Sequence, residues 1–146
     1  MAVEIGFNPA VLGLPTSAPT TPQDAGQPSA AAQSGSIAAA TPTVMTVAAL
    51  IDTGARESCI DEDLAQKLQL PIINQVKVAG VHGAATLNVY LAQFGIPLLG
   101  MSRTGAFTAA KLNAGGQPYQ ALIGRAELRD TVLVYDGRDG SVKIAR

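Results

Sequence analysis

Asp52 stands at the end of an apolar run, Val47-Ala48-Ala49-Leu50-Ile51, and is followed directly by Thr53, Gly54 and Ala55. An aspartate leaving an apolar strand for a tight turn has a carboxylate shielded on the strand side and open on the loop side, an arrangement suited to acid–base chemistry. Gly54 lets the backbone reverse without a Cβ in the way. Other chemistries find little support. The chain has one cysteine, Cys59, and one histidine, His82, so it holds no intramolecular disulfide, no zinc cluster and no metal site. Cys59 lies beside apolar Ile60 without a nucleophile context, and it reads as a buried structural thiol. No cofactor motif occurs. Ten basic against eleven acidic side chains leave a formal charge of −1, which gives no field to hold nucleic acid or an anionic membrane.

The elements that must position Asp52 follow from periodicity and turn residues. At 146 residues the chain is most simply one domain with flanking segments. Residues 1–12 contain an alternating strand, Ala2 to Phe7. Residues 13–43 hold five of the nine prolines with many Ala, Ser and Thr, and read as a linker or surface insertion between the first two strands. Residues 44–146 carry the folded domain. Asp61 is the N-cap of a short helix, with Glu62 and Asp63 in its first turn, Leu64, Ala65 and Leu68 on one face, and Pro71 as its stop. Period-two strands follow around Val76–Val78 and Leu87–Leu91, joined by a glycine-tipped, mobile hairpin at Ala79, Gly80, Val81, His82 and Gly83. Further strands are expected at Gly95–Leu99, Ala106–Leu112 and Tyr119–Ile123, then a helical turn at Arg125–Leu128. Val132–Tyr135 and Ser141–Ala145 form a closing hairpin over Asp136-Gly137-Arg138-Asp139-Gly140. The fold class is mostly β, a closed barrel-like single domain with one or two short helices. No apolar run is long enough for a membrane span. Met1 to Leu14 carries Glu4 where an export signal needs basic residues, so a soluble, cytoplasmic protein is expected.

The segment Ala49 to Ala55 and the later Ala121-Leu122-Ile123-Gly124-Arg125 resemble, in that order, the two motifs of the retropepsin-like aspartic proteases. The resemblance spans roughly Val44 to Ala145. It implies an aspartic endopeptidase with Asp52 as the catalytic residue. Thr53, Gly54, Ala55, Leu122, Ile123 and Gly124 would support it, and Ala79 to Gly83 would be the flap over a bound peptide. Thr53 would brace the partner's loop, and Arg125 would serve an ion pair at the dimer interface, with Glu127 or Arg129 as accessories. Arg56 could lower the carboxyl pKa or pair with Asp63 or Glu127, or stand as a solvated charge. Peptide hydrolysis by this route needs two carboxylates around one water. Asp136-Gly137 and Asp139-Gly140 lack the middle hydroxyl residue and are poor second members. A homodimer that brings two copies of Asp52 together on a two-fold axis is the economical solution. Carboxylates about 3 Å apart share one proton, so activity is expected to fall at high pH. The partners implied are a second copy of the chain and a polypeptide substrate. The alternative is a non-catalytic module of the same fold for dimerisation or peptide binding.

Overall fold

Alternation along the strands decides which side of the sheet turns inward. The computed structural model describes residues 1–9, 43–80 and 83–146; most of the 13–43 segment, and Val81 and His82 of the hairpin tip, lie outside the described residues. In strands β1 (Ala2–Phe7) and β2 (Thr43–Ile51), Val3, Ile5, Phe7, Val47 and Ala49 are buried while Glu4, Ala48 and Leu50 point out. The remaining strands are β3 (Ser58–Asp61), β4 (Ile72–Gly80), β5 (Gly83–Ile96), β6 (Met101–Ala110) and β7 (Ala121–Ile123); inward residues alternate along β6, β7 and the second half of β5, whereas the described side chains of β4 from Ile72 to Val78 are exposed or half-buried.

These strands form one sheet in the order β1-β2-β7-β3-β6-β5-β4, and β1 also pairs with β5. That second pairing, Glu4 opposite Gly95 and Ile5 opposite Phe94, closes a six-stranded barrel. Closure removes the free edges on which an open sheet would associate. Its interior is filled by Ile5, Ile60, Phe94, Phe107 and Ile123 among others, all fully buried. Each large apolar side chain contributes roughly 1.5 to 3 kcal/mol by leaving water. β4 stays outside the closed ring and pairs only with β5, from Ile72 opposite Tyr90 out to Gly80 opposite Gly83. The expected glycine-tipped hairpin is present as the β4–β5 pair, with Ala79 opposite Ala84 and Gly80 opposite Gly83.

Helix α1 (Glu62–Lys67) begins as its sequence dictates, with the Asp61 carboxylate accepting from the Leu64 N–H. The same carboxylate, buried in the fold, also accepts from the Asn113 backbone and side-chain amides at 2.9 and 3.3 Å, tying the turn after β6 to the helix. Three expectations change. The strand expected over Gly95–Leu99 ends at Ile96, and Pro97–Leu99 form a 3-10 turn stopped by left-handed Gly100; Pro97 has no N–H to continue a ladder. The strand expected over Ala106–Leu112 begins earlier, at Met101, because its antiparallel pairing with β5 starts at Ile96 opposite Met101. Arg125–Leu128 is a hydrogen-bonded turn without regular helix. It is clamped to β6 by Arg103, whose guanidinium donates to the Arg129 carbonyl and the Asp130 carboxylate at 2.7 and 2.9 Å. That hydrogen bond holds the Asp130 carboxyl below its usual range. The last two strands, β8 (Val132–Asp136) and β9 (Ser141–Ala145), make the expected hairpin as a sheet of their own.

Candidate active site

β7 lies between β2 and β3, parallel to one and antiparallel to the other. The chain leaving β2 must therefore loop around the end of β7 to reach β3. Asp52 is the first residue of that loop, and its N–H donates to the Ile123 carbonyl at 2.9 Å. Its Oδ1 accepts from the Gly54 and Ala55 amides at 2.9 and 3.2 Å, so the turn itself orients the carboxylate. Gly54 has no left-handed φ; a Cβ there would stand 3.1 Å from Asp52 Oδ1 and press on the carboxylate.

The residues after β7 hold the loop from the other side. Arg125 and Ala126 donate their backbone amides to the Ala55 and Arg56 carbonyls at 3.1 and 3.0 Å. The Arg125 guanidinium reaches the Thr53 and Gly54 carbonyls at 2.6 and 3.0 Å. A Cβ on Gly124 would meet the Glu57 carbonyl at 2.5 Å, so only glycine lets the two segments cross this closely. The two sequence motifs are thus two walls of one structure. Thr53 and Gly54 stay exposed, Asp52 and Ala55 are half-buried, and Ile123 and Gly124 are buried.

Beneath this lies a link that the sequence reading did not anticipate. The Ser58 hydroxyl donates to the Glu127 carboxylate and accepts from the Gly124 N–H at 2.9 Å, all three groups being buried. Glu127 Oε1 fits because position 105 is glycine, where a Cβ would come within 2.5 Å of that oxygen. Glu127 therefore serves Ser58 and forms no ion pair with Arg56 or Arg125. The ion pairs among the described residues are Arg103–Asp130 and Arg138–Asp136. Arg56 is an exposed loop charge whose contribution here is its backbone carbonyl.

Register also defines a floor. Leu50 pairs with Leu122, Leu122 with Cys59, and Cys59 with Thr108, so the four side chains line up on the outer face of β2, β7, β3 and β6. None of the four is fully buried, and Leu50 is 43% exposed. Cys59 is accordingly a half-buried floor residue, not the buried structural thiol expected from its neighbours. Burial, with the Asp52 and Glu57 carboxylates, pushes its thiol up and keeps it protonated. Beside the loop a cleft of about 600 Å³ runs under β4 and β5 between Glu57, Val76, Val89, Thr108 and Glu127. Among the described residues no cluster of His, Cys, Asp or Glu could hold a metal ion, and no helix is long and apolar enough to cross a membrane.

The solution structure of the simian foamy virus (mac) protease is similar to this chain at 19% identity and a TM-score of 0.44, covering 57% of this chain and 80% of that one. No curated protein matches the chain. The family described as aspartyl protease matches residues 43–126, which takes in the Asp52 loop, the β4–β5 hairpin and the β7 segment that braces the loop. With both motifs joined in one hydrogen-bonded structure inside a closed six-stranded barrel, this chain belongs to the aspartyl protease family.

Proposed function

We propose that this protein is an aspartic endopeptidase, active as a homodimer, in which Asp52 of each subunit contributes to one dyad. The observation that carries the reading is the Asp52 carboxylate itself. It is fixed by two amides of its own turn, braced by Arg125 and Gly124, and set beside an outward row of partly apolar side chains. A water between two such carboxylates would give a proton to the ionised one while the protonated one hydrogen-bonds the scissile carbonyl. The tetrahedral intermediate would then collapse with proton transfer to the leaving amine. Exposed Thr53 and Gly54 would meet the partner's loop, and Arg125 would support that contact by holding the Thr53 and Gly54 carbonyls. Residues 44–146 with the N-terminal strand would form the protease domain. Ala79, Gly80 and Gly83, with Val81 and His82, would be the flap. An extended peptide would add a strand between flap and floor, its side chains entering pockets near Leu50, Leu122 and Cys59.

The test is cleavage of a diverse peptide library by the wild-type protein and by Asp52→Asn, across acidic to neutral pH. The substitution keeps shape and an acceptor for the two amides, so the fold should persist, and cleavage should drop by roughly a thousandfold. Equal cleavage by both proteins would remove Asp52 from the chemistry. Peptide binding without cleavage by either would make this a binding module of the same fold.

A further inference from the structure

Thr108 ends the outward row that starts at Leu50, and it also lines the cleft of about 600 Å³ beside that row. Three strand spacings of about 4.8 Å set Thr108 roughly 14 Å from Leu50, the reach of about four residues of extended peptide. A peptide lying on the floor therefore arrives at the cleft a few residues away from the bond held at Asp52. The cleft joins two kinds of surface. Val76 and Val89 of the β4–β5 pair give it an apolar wall, while Glu57, Glu127, Arg103 and Arg129 bring charge.

Those charges are not equally available. Arg103 is paired with Asp130 at 2.9 Å. Arg129 is exposed at the rim, its Nε donating to the Ala126 carbonyl. Neither Glu57 nor Glu127 takes part in an ion pair among the described residues. Glu127 is only 6% exposed, and Ser58 occupies its Oε2 alone. Among the described residues Oε1 accepts no hydrogen bond and no fully buried side-chain oxygen lacks a partner, so Oε1 opens into the cleft that Glu127 lines. Gly105, in the same wall, leaves that oxygen uncovered, since a Cβ there would come within 2.5 Å of it. A carboxylate buried so deeply with a single hydroxyl donor lacks the counter-charge that buried charges ordinarily have. Glu57, exposed, stands on the floor side, where its carboxylate helps to push the Cys59 thiol up.

Resting on the endopeptidase reading above, we propose that this cleft is a subsite for a basic side chain of the peptide, lysine or arginine: the alkyl stem lies along Val76 and Val89, and the head group meets the Glu57 and Glu127 carboxylates. Long basic side chains bury their stems on apolar surface in this way while the charged head stays with polar groups. A two-fold dimer carries the cleft twice, once on each side of the dyad, so basic residues are selected at two positions that flank the cut bond.

The test uses peptides varied one position at a time among Lys, Arg, Met and Glu. They are assayed for cleavage by the full chain and for binding to Asp52→Asn, which reads the subsite without the chemistry. Wild type should favour Lys or Arg over Met by about tenfold or more in kcat/KM at one position on each side of the cut, the difference lying mainly in KM. Glu57→Gln, at an exposed position outside the Ser58 link, should lose most of that preference, and Glu57→Lys should turn it toward Glu. Cleavage with no basic preference at any position, or a preference that Glu57→Gln keeps in full, overturns the subsite and leaves the endopeptidase standing. A preference for Glu that Arg129→Gln removes would give the cleft to its rim arginine and overturn the subsite as well. If nothing is cut but Asp52→Asn binds Lys peptides tighter than Met peptides, and adding Glu57→Gln abolishes the difference, the endopeptidase reading falls while the subsite stands. No cleavage and no preferential binding overturns both.

Discussion

Asp52 needs no partner to find its orientation, because the two amides that hold Oδ1 come from the residues that immediately follow it. Local geometry of this kind is legible in sequence: Asp52, Thr53 and Gly54 are consecutive, and Leu122-Ile123-Gly124 are too. The Ser58–Glu127 link is not, since its members are 69 positions apart and neither type announces its partner. The acidic residue at 127 was visible, but the family resemblance cast it as an accessory to an Arg125 ion pair, whereas the fold delivers it to a hydroxyl. Burial makes the link costly to break. Ser58→Ala would strand the Gly124 N–H and a buried carboxylate together, and should destabilise the protein by about 3 kcal/mol in chemical denaturation. Glu127→Gln keeps an acceptor for the hydroxyl and should cost roughly half of that or less. Equal losses from the two would mean that the hydroxyl bond is not what holds Glu127 in place.

Helix α1 shows the same division between what neighbours encode and what packing decides. Its start was readable from Asp61, Glu62 and Asp63, and Pro71 marked that it must stop. How it stops was hidden, because Gln69 takes a left-handed φ of 52° at a position where glycine would be the sequence signal. Gln69 and Leu70 then donate to the Gln66 and Ala65 carbonyls, which caps the helix and sends Leu70 into the core. Left-handed backbone costs a side-chain-bearing residue about 1 to 2 kcal/mol, partly offset in the substitution by glycine's freer unfolded chain. Gln69→Gly should therefore raise stability by about 0.5 to 1 kcal/mol, measured by denaturant midpoint at unchanged slope, and a loss of stability would show that Gln69 makes compensating contacts. Pro97 was a missed signal of the same sort. It was present in the sequence and ends β5 where a strand was expected to continue.

At the scale of the molecule, one Asp52 loop per barrel means that each chain carries half of the proposed chemistry. At constant total protein, replacing half of the wild type by Asp52→Asn and allowing exchange should leave wild-type homodimers as about a quarter of all dimers by random pairing, and activity should fall to about a quarter. Activity that falls only to half would mean that each chain works alone. The β class of the chain was legible from its strand pattern, but the closing pair was not, because Glu4 meets Gly95 across most of the domain. The same closure governs how the protein comes into being. Ala49 pairs with Ala121, and β7 fits between β2 and β3, two strands made long before it. Long loops must close before those hydrogen bonds form, which puts folding in the slow, millisecond-to-second range typical of barrels rich in distant contacts. Until the chain has reached Ile123, β2 and β3 wait with open edges, and that interval during synthesis is when the six-stranded ring is most exposed to misassociation.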